Sequence, residues 1–258
     1  MKKKIIFALI IVVVISLTAL SGGYAFEARQ KLITISKTEA DITGDGKKEI
    51  LQLKGIPYQD HAGYLKNIYL DIKESNGKYL KLPFESGSKT ALQLADLNHD
   101  GMKDVFVTVF TGGSEGTTIN YLYTLKNFIQ TDLTVPAPLK LNSKYMNGYQ
   151  AEIRILDTGK TYHFDLKDRS AYYKQLGLYY NGRLNEPTEL TVNSFSSLKP
   201  ISLGGGKTGL TGIQRVSGIA NTDTIAYVQS TWDLINHHWK LIKTDVWSPG
   251  SESQSPSP

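Results

Sequence analysis

A nine-residue pattern that occurs twice constrains this chain more than anything else in it. Asp41-Ile-Thr-Gly-Asp-Gly-Lys-Lys-Glu49 and Asp96-Leu-Asn-His-Asp-Gly-Met-Lys-Asp104 share the form D-x-[TN]-x-D-G-x-K-[ED], with their first residues 55 positions apart. Oxygen-bearing side chains fall at Asp41, Thr43, Asp45 and Glu49 in the first copy, and at Asp96, Asn98, Asp100 and Asp104 in the second. They converge on one point if the loop curls tightly, and the glycine after the central aspartate permits that turn. The next main-chain carbonyl, at Lys47 or Met102, adds one more oxygen. Hard oxygens in that number suit Ca2+, because magnesium keeps its waters and zinc prefers nitrogen or sulfur. The competing reading is two plain Asp-Gly turns between strands. Two copies in register, each flanked by apolar strand-like sequence, favour the ion. With four protein side chains around it, such an ion is a staple between strands rather than a reagent.

An EF-hand would carry a bidentate Glu at its twelfth position, where this chain has Gln52 and Val107, and the loops lead into strand-like sequence instead of helices. The two segments resemble the VCBS or FG-GAP type of repeat found in exported bacterial proteins and integrin-like propellers. In those repeats an apolar strand, a D-x-N-x-D-G-x-x-D calcium loop and a second strand form one unit. The match is closest over Ala91-Leu-Gln-Leu-Ala-Asp-Leu-Asn-His-Asp-Gly-Met-Lys-Asp-Val-Phe-Val107, and the first copy departs from the pattern at Thr43 and Glu49. The resemblance spans residues 33–126. It implies a mainly β chain: a small or incomplete β-propeller-like fold, or a β-sandwich built from repeats, since a full propeller needs more units than this length holds. By analogy it implies a role in adhesion or scaffolding.

The N-terminus predicts export. Lys2, Lys3 and Lys4 precede Ile5–Leu20, in which Ser16 and Thr18 alone are not apolar, and Gly23 and Ala25 suit the small positions before a cleavage site. At ~24 Å as a helix, the apolar stretch is short for a permanent span. Residues 1–25 therefore read as a signal peptide, or else as an uncleaved anchor that is the chain's one membrane contact. Either places the rest in the medium or on the outer face of the envelope, where calcium is plentiful. Without this segment 26 bases face 24 acids. A charge of +2 with no basic stripe argues against nucleic acid as a partner. The absence of cysteine excludes a disulfide scaffold, a thiol nucleophile and a zinc-thiolate site.

Domain boundaries follow from composition. Residues 26–140 hold the two repeats, residues 141–247 form a C-terminal β region without the acidic pattern, and residues 248–258 are a Ser/Pro-rich tail. Alternation in Asn67–Lys73 predicts a half-exposed strand with Ile68, Leu70 and Ile72 inward, and Val105–Phe110 reads as a strand covered on both faces. Asn76-Gly77, Asn147-Gly148 and Asn181-Gly182 predict hairpin turns. Strands are expected over Ala151–Leu156, Thr161–Leu166, Glu189–Phe195 and Ile225–Trp232, and a short helix over Asp168–Leu176 capped by Asp168.

Several motifs tempt a catalytic reading. Gly112-Gly-Ser-Glu-Gly116 matches the nucleophile elbow G-x-S-x-G, which would make Ser114 the agent of a secreted hydrolase, but the β-like Thr117–Tyr123 follows where a helix should. Gly204-Gly-Gly-Lys-Thr208 lacks the first glycine of a phosphate loop, and His237-His238 reads as a hairpin turn. Among fifteen tyrosines and three tryptophans, Tyr69, Tyr121, Tyr123, Tyr179, Tyr180, Trp232 and Trp239 serve either sheet packing or contact with cell-wall glycan. The sequence thus predicts an exported, calcium-binding structural or binding module without a catalytic residue of its own. Cell-wall polysaccharide or a surface protein is its expected partner.

Overall fold

The computed structural model describes residues 32–58, 61–112 and 116–251. Residues 1–25, read above as an export signal, Ser114 and all but the start of the tail lie outside them. The chain is mainly β, an unclosed arrangement of antiparallel sheets with an additional C-terminal β region.

Eight strands form the first sheet: β1 (Ile33–Ala40), β2 (Glu49–Tyr58), β3 (His61–Lys73), β4 (Tyr79–Pro83), β5 (Gly87–Ala95), β6 (Asp104–Gly112), β7 (Thr117–Thr124) and β8 (Thr131–Asp132). Their order is β1-β2-β3-β5-β6-β7-β8, with β4 paired to β3. Period-two sequence explains the burial. In β3, Ile68, Leu70 and Ile72 are buried while Tyr69 and Asp71 are half-exposed, as alternation predicts. In β6 both faces are covered: Val105, Val107 and Val109 enter the core of this sheet, and Phe106 points to the other side. The two acidic segments occupy equivalent places. Each closes an antiparallel hairpin, β1–β2 at Ala40 opposite Glu49, and β5–β6 at Ala95 opposite Asp104.

The C-terminal region has two layers. One is the meander β9 (Leu141–Met146), β10 (Gln150–Ile155) and β11 (Thr161–Asp165). The other is the four-stranded β14 (Thr191–Gly204), β15 (Lys207–Ser217), β16 (Thr224–Ile235) and β17 (His238–Trp247). Between them lie helix α1 (Ser170–Gln175) and the short hairpin β12 (Tyr179–Tyr180) and β13 (Arg183–Leu184). Tyr145, Ile153, Ile155, Tyr173, Val216, Ile225 and Val228 fill the space between the layers.

The predicted turns form at Asn76-Gly77, Asn147-Gly148 and Asn181-Gly182, and the last of them shows the paired positive φ values of a tight hairpin, 47° and 76°. Two expectations need correction. Asp168 does not cap the helix: it lies in a single 3-10 turn, and Arg169 precedes α1 without any side-chain cap. The strand expected to stop at Phe195 continues to Gly204 through Pro200. Because β14 is an edge strand, a proline without an N–H costs no ladder bond there.

A third cluster joins the halves. Leu97, Phe106 and Leu122 from the first sheet pack with Phe195, Leu198 and Leu210 from β14 and β15.

Candidate metal centre

Both acidic loops fold by the same local rule. The aspartate that opens each loop turns inward and accepts backbone N–H groups from further along. Asp41 accepts from Gly44 at 2.7 Å and Gly46 at 2.9 Å. Asp96 accepts from Asp100 at 3.1 Å and Gly101 at 3.0 Å. The central aspartates accept from the residue two later, Asp45 from Lys47 at 2.8 Å and Asp100 from Met102 at 3.1 Å. Gly46 and Gly101 hold φ values of 80° and 85°, which a side chain would resist. The loops are nests of inward-turned oxygens, with Glu49 and Asp104 sealing the floor at 0% exposure.

The floors differ in one respect. Glu49 Oε2 accepts from the Ile42 N–H at 2.9 Å, and its other oxygen takes the Thr43 hydroxyl at 3.3 Å. Both oxygens of this buried acid therefore have partners within the protein. Asp104 Oδ2 accepts from the N–H groups of Leu97 at 2.8 Å and Asn98 at 3.2 Å, but Oδ1 is buried without any hydrogen-bond partner. Thr43 and Glu49, the two departures from the repeat pattern, are the pair that lets the first loop satisfy itself.

The electrostatics agree. Burial pushes the Asp104 carboxyl up to about 6, opposed by the two N–H donors and reinforced by the negative charges of Asp100 and Asp96. Glu49 is also raised, chiefly by burial. At neutral pH Asp104 is still ionised, and its buried carboxylate faces two further carboxylates. An orphaned buried charge is costly. An oxygen-loving cation would remove that cost, and the side-chain donors of the loop are all oxygens.

The first loop gathers its acids more tightly: carboxylate oxygens of Asp41, Asp45 and Glu49 lie within 4.8 Å of one another, the one such group of three among the described residues. Proximity favours the first loop and the orphaned oxygen favours the second. The orphan weighs more, because exposed acids gather without an ion whereas a buried oxygen seldom lacks a partner.

The two loops lie side by side. A Cβ on Gly44 would stand 2.5 Å from the Met102 Sδ. The β7–β8 connection spans both: Asn127 N donates to Thr43 O at 2.9 Å, and Lys126 Nζ lies 3.6 Å from Asp100 Oδ2. Sequence reasoning missed His99, whose Nε2 lies 2.7 Å from Asp233 Oδ1 on β16, and nothing in the strand Thr224–Ile235 signals that partner. It also missed a polar knot in the C-terminal region. There Asp223 accepts from Arg169 Nη1 at 2.6 Å and from the Tyr173 hydroxyl at 2.8 Å.

The other candidates separate cleanly. Gly204–Thr208 is the β14–β15 turn, and Asn236-His237 is the β16–β17 turn, with φ of 50° and 62°. Tyr179 and Trp232 are buried, Tyr121, Tyr123 and Trp239 pack partly against the cores, and Tyr69 lies under the Lys81 ammonium. Tyr180 is 72% exposed. No helix among the described residues is long and apolar enough to cross a membrane.

Comparison with known proteins gives three results. The family described as the YybI C-terminal domain matches residues 139–247. YybI, an uncharacterized protein of Bacillus subtilis (strain 168), is 30% identical over 207 residues, covering 76% of this chain and 78% of YybI. The crystal structure of the exotype rhamnogalacturonan lyase YesX overlays with a TM-score of 0.38 at 16% identity, over 84% of this chain and 33% of the lyase. The chain thus spans about a third of that enzyme, and the overlay is too loose to bear on activity.

Proposed function

The chain belongs to the YybI family, and from that footing we propose that it is an exported, calcium-binding, non-enzymatic module of the cell surface or medium. Its acidic loops are VCBS or FG-GAP-like elements, with Asp96, Asn98, Asp100, Asp104 and the Met102 carbonyl holding one ion. Asp41, Thr43, Asp45, Glu49 and the Lys47 carbonyl form a second, weaker set.

The observation that carries this reading is the Asp104 Oδ1, buried without a partner beneath two other acids of one loop. Calcium would supply two positive charges and several coordination bonds there, pinning the β5–β6 hairpin at its closed end. No covalent step is involved. Export is supported by Lys2–Lys4 and the apolar Ile5–Leu20, and a chain without cysteine has reason to use an ion where a disulfide would otherwise serve.

The test is thermal unfolding of the purified chain in EDTA and in excess calcium. The reading expects chelation to lower the melting temperature, and Asp96→Ala and Asp100→Ala each to remove most of that response. Identical curves for the unmodified protein in EDTA and in calcium would refute it.

A second reading, cell-wall polysaccharide binding, is supported by exposed rings. Tyr58 and Tyr64 form an edge-to-face pair at 6.3 Å, and Tyr79 and Tyr180 are largely open. Pull-down with purified wall at two calcium concentrations tests it; no retention at either would remove it.

A further inference from the structure

The second loop is part of the joint between the two halves of the molecule, and its residues alternate between holding the nest and gripping the C-terminal sheet. Leu97, fully buried, packs into the cluster shared with Phe195, Leu198 and Leu210. Asn98 turns its oxygen back to the Asp100 N–H at 3.1 Å. His99, between these two donors and at a left-handed φ of 61°, reaches outward to place Nε2 2.7 Å from the Asp233 carboxylate on β16. Asp233 is itself buried at 6% exposure, so the contact sits inside the joint. Asn98 and Asp100 also line a cleft of about 610 Å³ whose far wall carries Leu234 and His237 of the β16–β17 hairpin.

We propose that calcium in the second loop fastens the C-terminal domain to the first sheet, with His99 as the positioning residue that carries ion occupancy at residues 96–104 across to Asp233. The inference rests on the calcium reading above and extends it from a staple within one hairpin to a clasp between domains. The physical reason is adjacency. Asn98 and Asp100 flank His99 in the chain, so an ion that fixes those two also fixes the backbone from which the imidazole reaches Asp233. Without the ion, Asp96, Asp100 and Asp104, whose Oδ1 lacks a partner, repel one another and loosen the backbone from which His99 reaches. Coupling of this kind is reciprocal, so what calcium gives to docking, docking returns to calcium affinity.

The experiment is amide hydrogen exchange on the whole chain in EGTA and in 10 mM calcium, with calcium binding measured in parallel by calorimetry. In the unmodified protein calcium should slow exchange at residues 96–104 and also at residues 228–240. In His99→Asn, which tolerates the left-handed backbone but is too short to reach Asp233, slowing should persist at 96–104 and vanish at 228–240, with calcium affinity about 5-fold weaker. Asp233→Thr, made from the other side and compatible with a strand, should give the same pattern and serves if His99→Asn fails to fold. Slowing at 96–104 without slowing at 228–240 in the unmodified protein would overturn the clasp and leave the calcium reading intact. So would slowing at 228–240 that survives both substitutions. No heat and no slowing at 96–104 would overturn the calcium reading and the clasp together.

Discussion

Asp104 and Glu49 occupy the same position in two copies of one loop and meet different fates. Glu49 is one methylene longer and has Thr43 beside it, so its second oxygen finds a hydroxyl at 3.3 Å. Asp104 has Asn98 at the corresponding place and keeps an unpartnered oxygen. Opposite responses to substitution follow. Asp104→Asn removes a buried charge that costs ~1–3 kcal/mol when unpaired. In EGTA the variant should match or exceed the parent in stability, while its rise in melting temperature with calcium disappears. Thr43→Ala orphans a buried Glu49 oxygen and should destabilise the EGTA form by ~1–3 kcal/mol, with calcium restoring part of the loss. Calorimetric melting of both variants with and without calcium checks the pair. A calcium response retained in Asp104→Asn, or an unaffected Thr43→Ala in EGTA, would contradict this division of roles.

Elements were legible in the sequence where periodicity or turn chemistry was strong. Ile68, Leu70 and Ile72 announce β3, the Asn-Gly pairs announce their hairpins, and both acidic loops were readable in register, because each depends on residues close in the chain. What stayed hidden depends on distant partners. The strand expected to stop at Phe195 runs on to Gly204 because β14 is an edge, and the His99–Asp233 pair spans 134 positions. The tyrosine-rich packing of the C-terminal layers was equally hidden. There Tyr145 and Tyr173 meet edge-to-face at 5.5 Å, and the Tyr145 hydroxyl receives the Ile219 N–H at 3.2 Å. Burial holds the Tyr145 and Tyr179 hydroxyls up to about 12, and raises Tyr173 as well. These rings ionise near 10 in the unfolded chain. Their contribution to stability is complete below pH 10 and is lost as pH climbs toward 12. Absorbance at 295 nm during an alkaline titration should show these tyrosines ionising late and together with unfolding; early ionisation in a still-folded protein would argue against a sealed layer. Gly218 belongs to the same element, since a Cβ there would collide with the Asp223 carboxylate and the Tyr145 hydroxyl. Gly218→Ala should cost ~1–3 kcal/mol by denaturant unfolding, and an unchanged midpoint would mean that the knot yields easily.

At the scale of the whole molecule, two β units share one apolar joint, and the acidic loops stand at its margin. The first loop touches the second through Gly44 and Met102, and the second touches the C-terminal sheet through His99. Ion binding at one margin would therefore stabilise more than one hairpin. Calcium modules that work outside cells have dissociation constants of ~10⁻⁴–10⁻³ M. At 10 mM calcium such a site adds ~1.4–2.7 kcal/mol by mass action, a rise of roughly 3–10 °C in melting temperature for a chain of this size. The most direct test is isothermal titration of calcium into the chain beginning at Phe26, freed of metal beforehand. The account predicts saturable heat for at least one ion per chain with a dissociation constant no weaker than ~1 mM, lost in Asp104→Asn. Heat of dilution alone from the unmodified chain would contradict it.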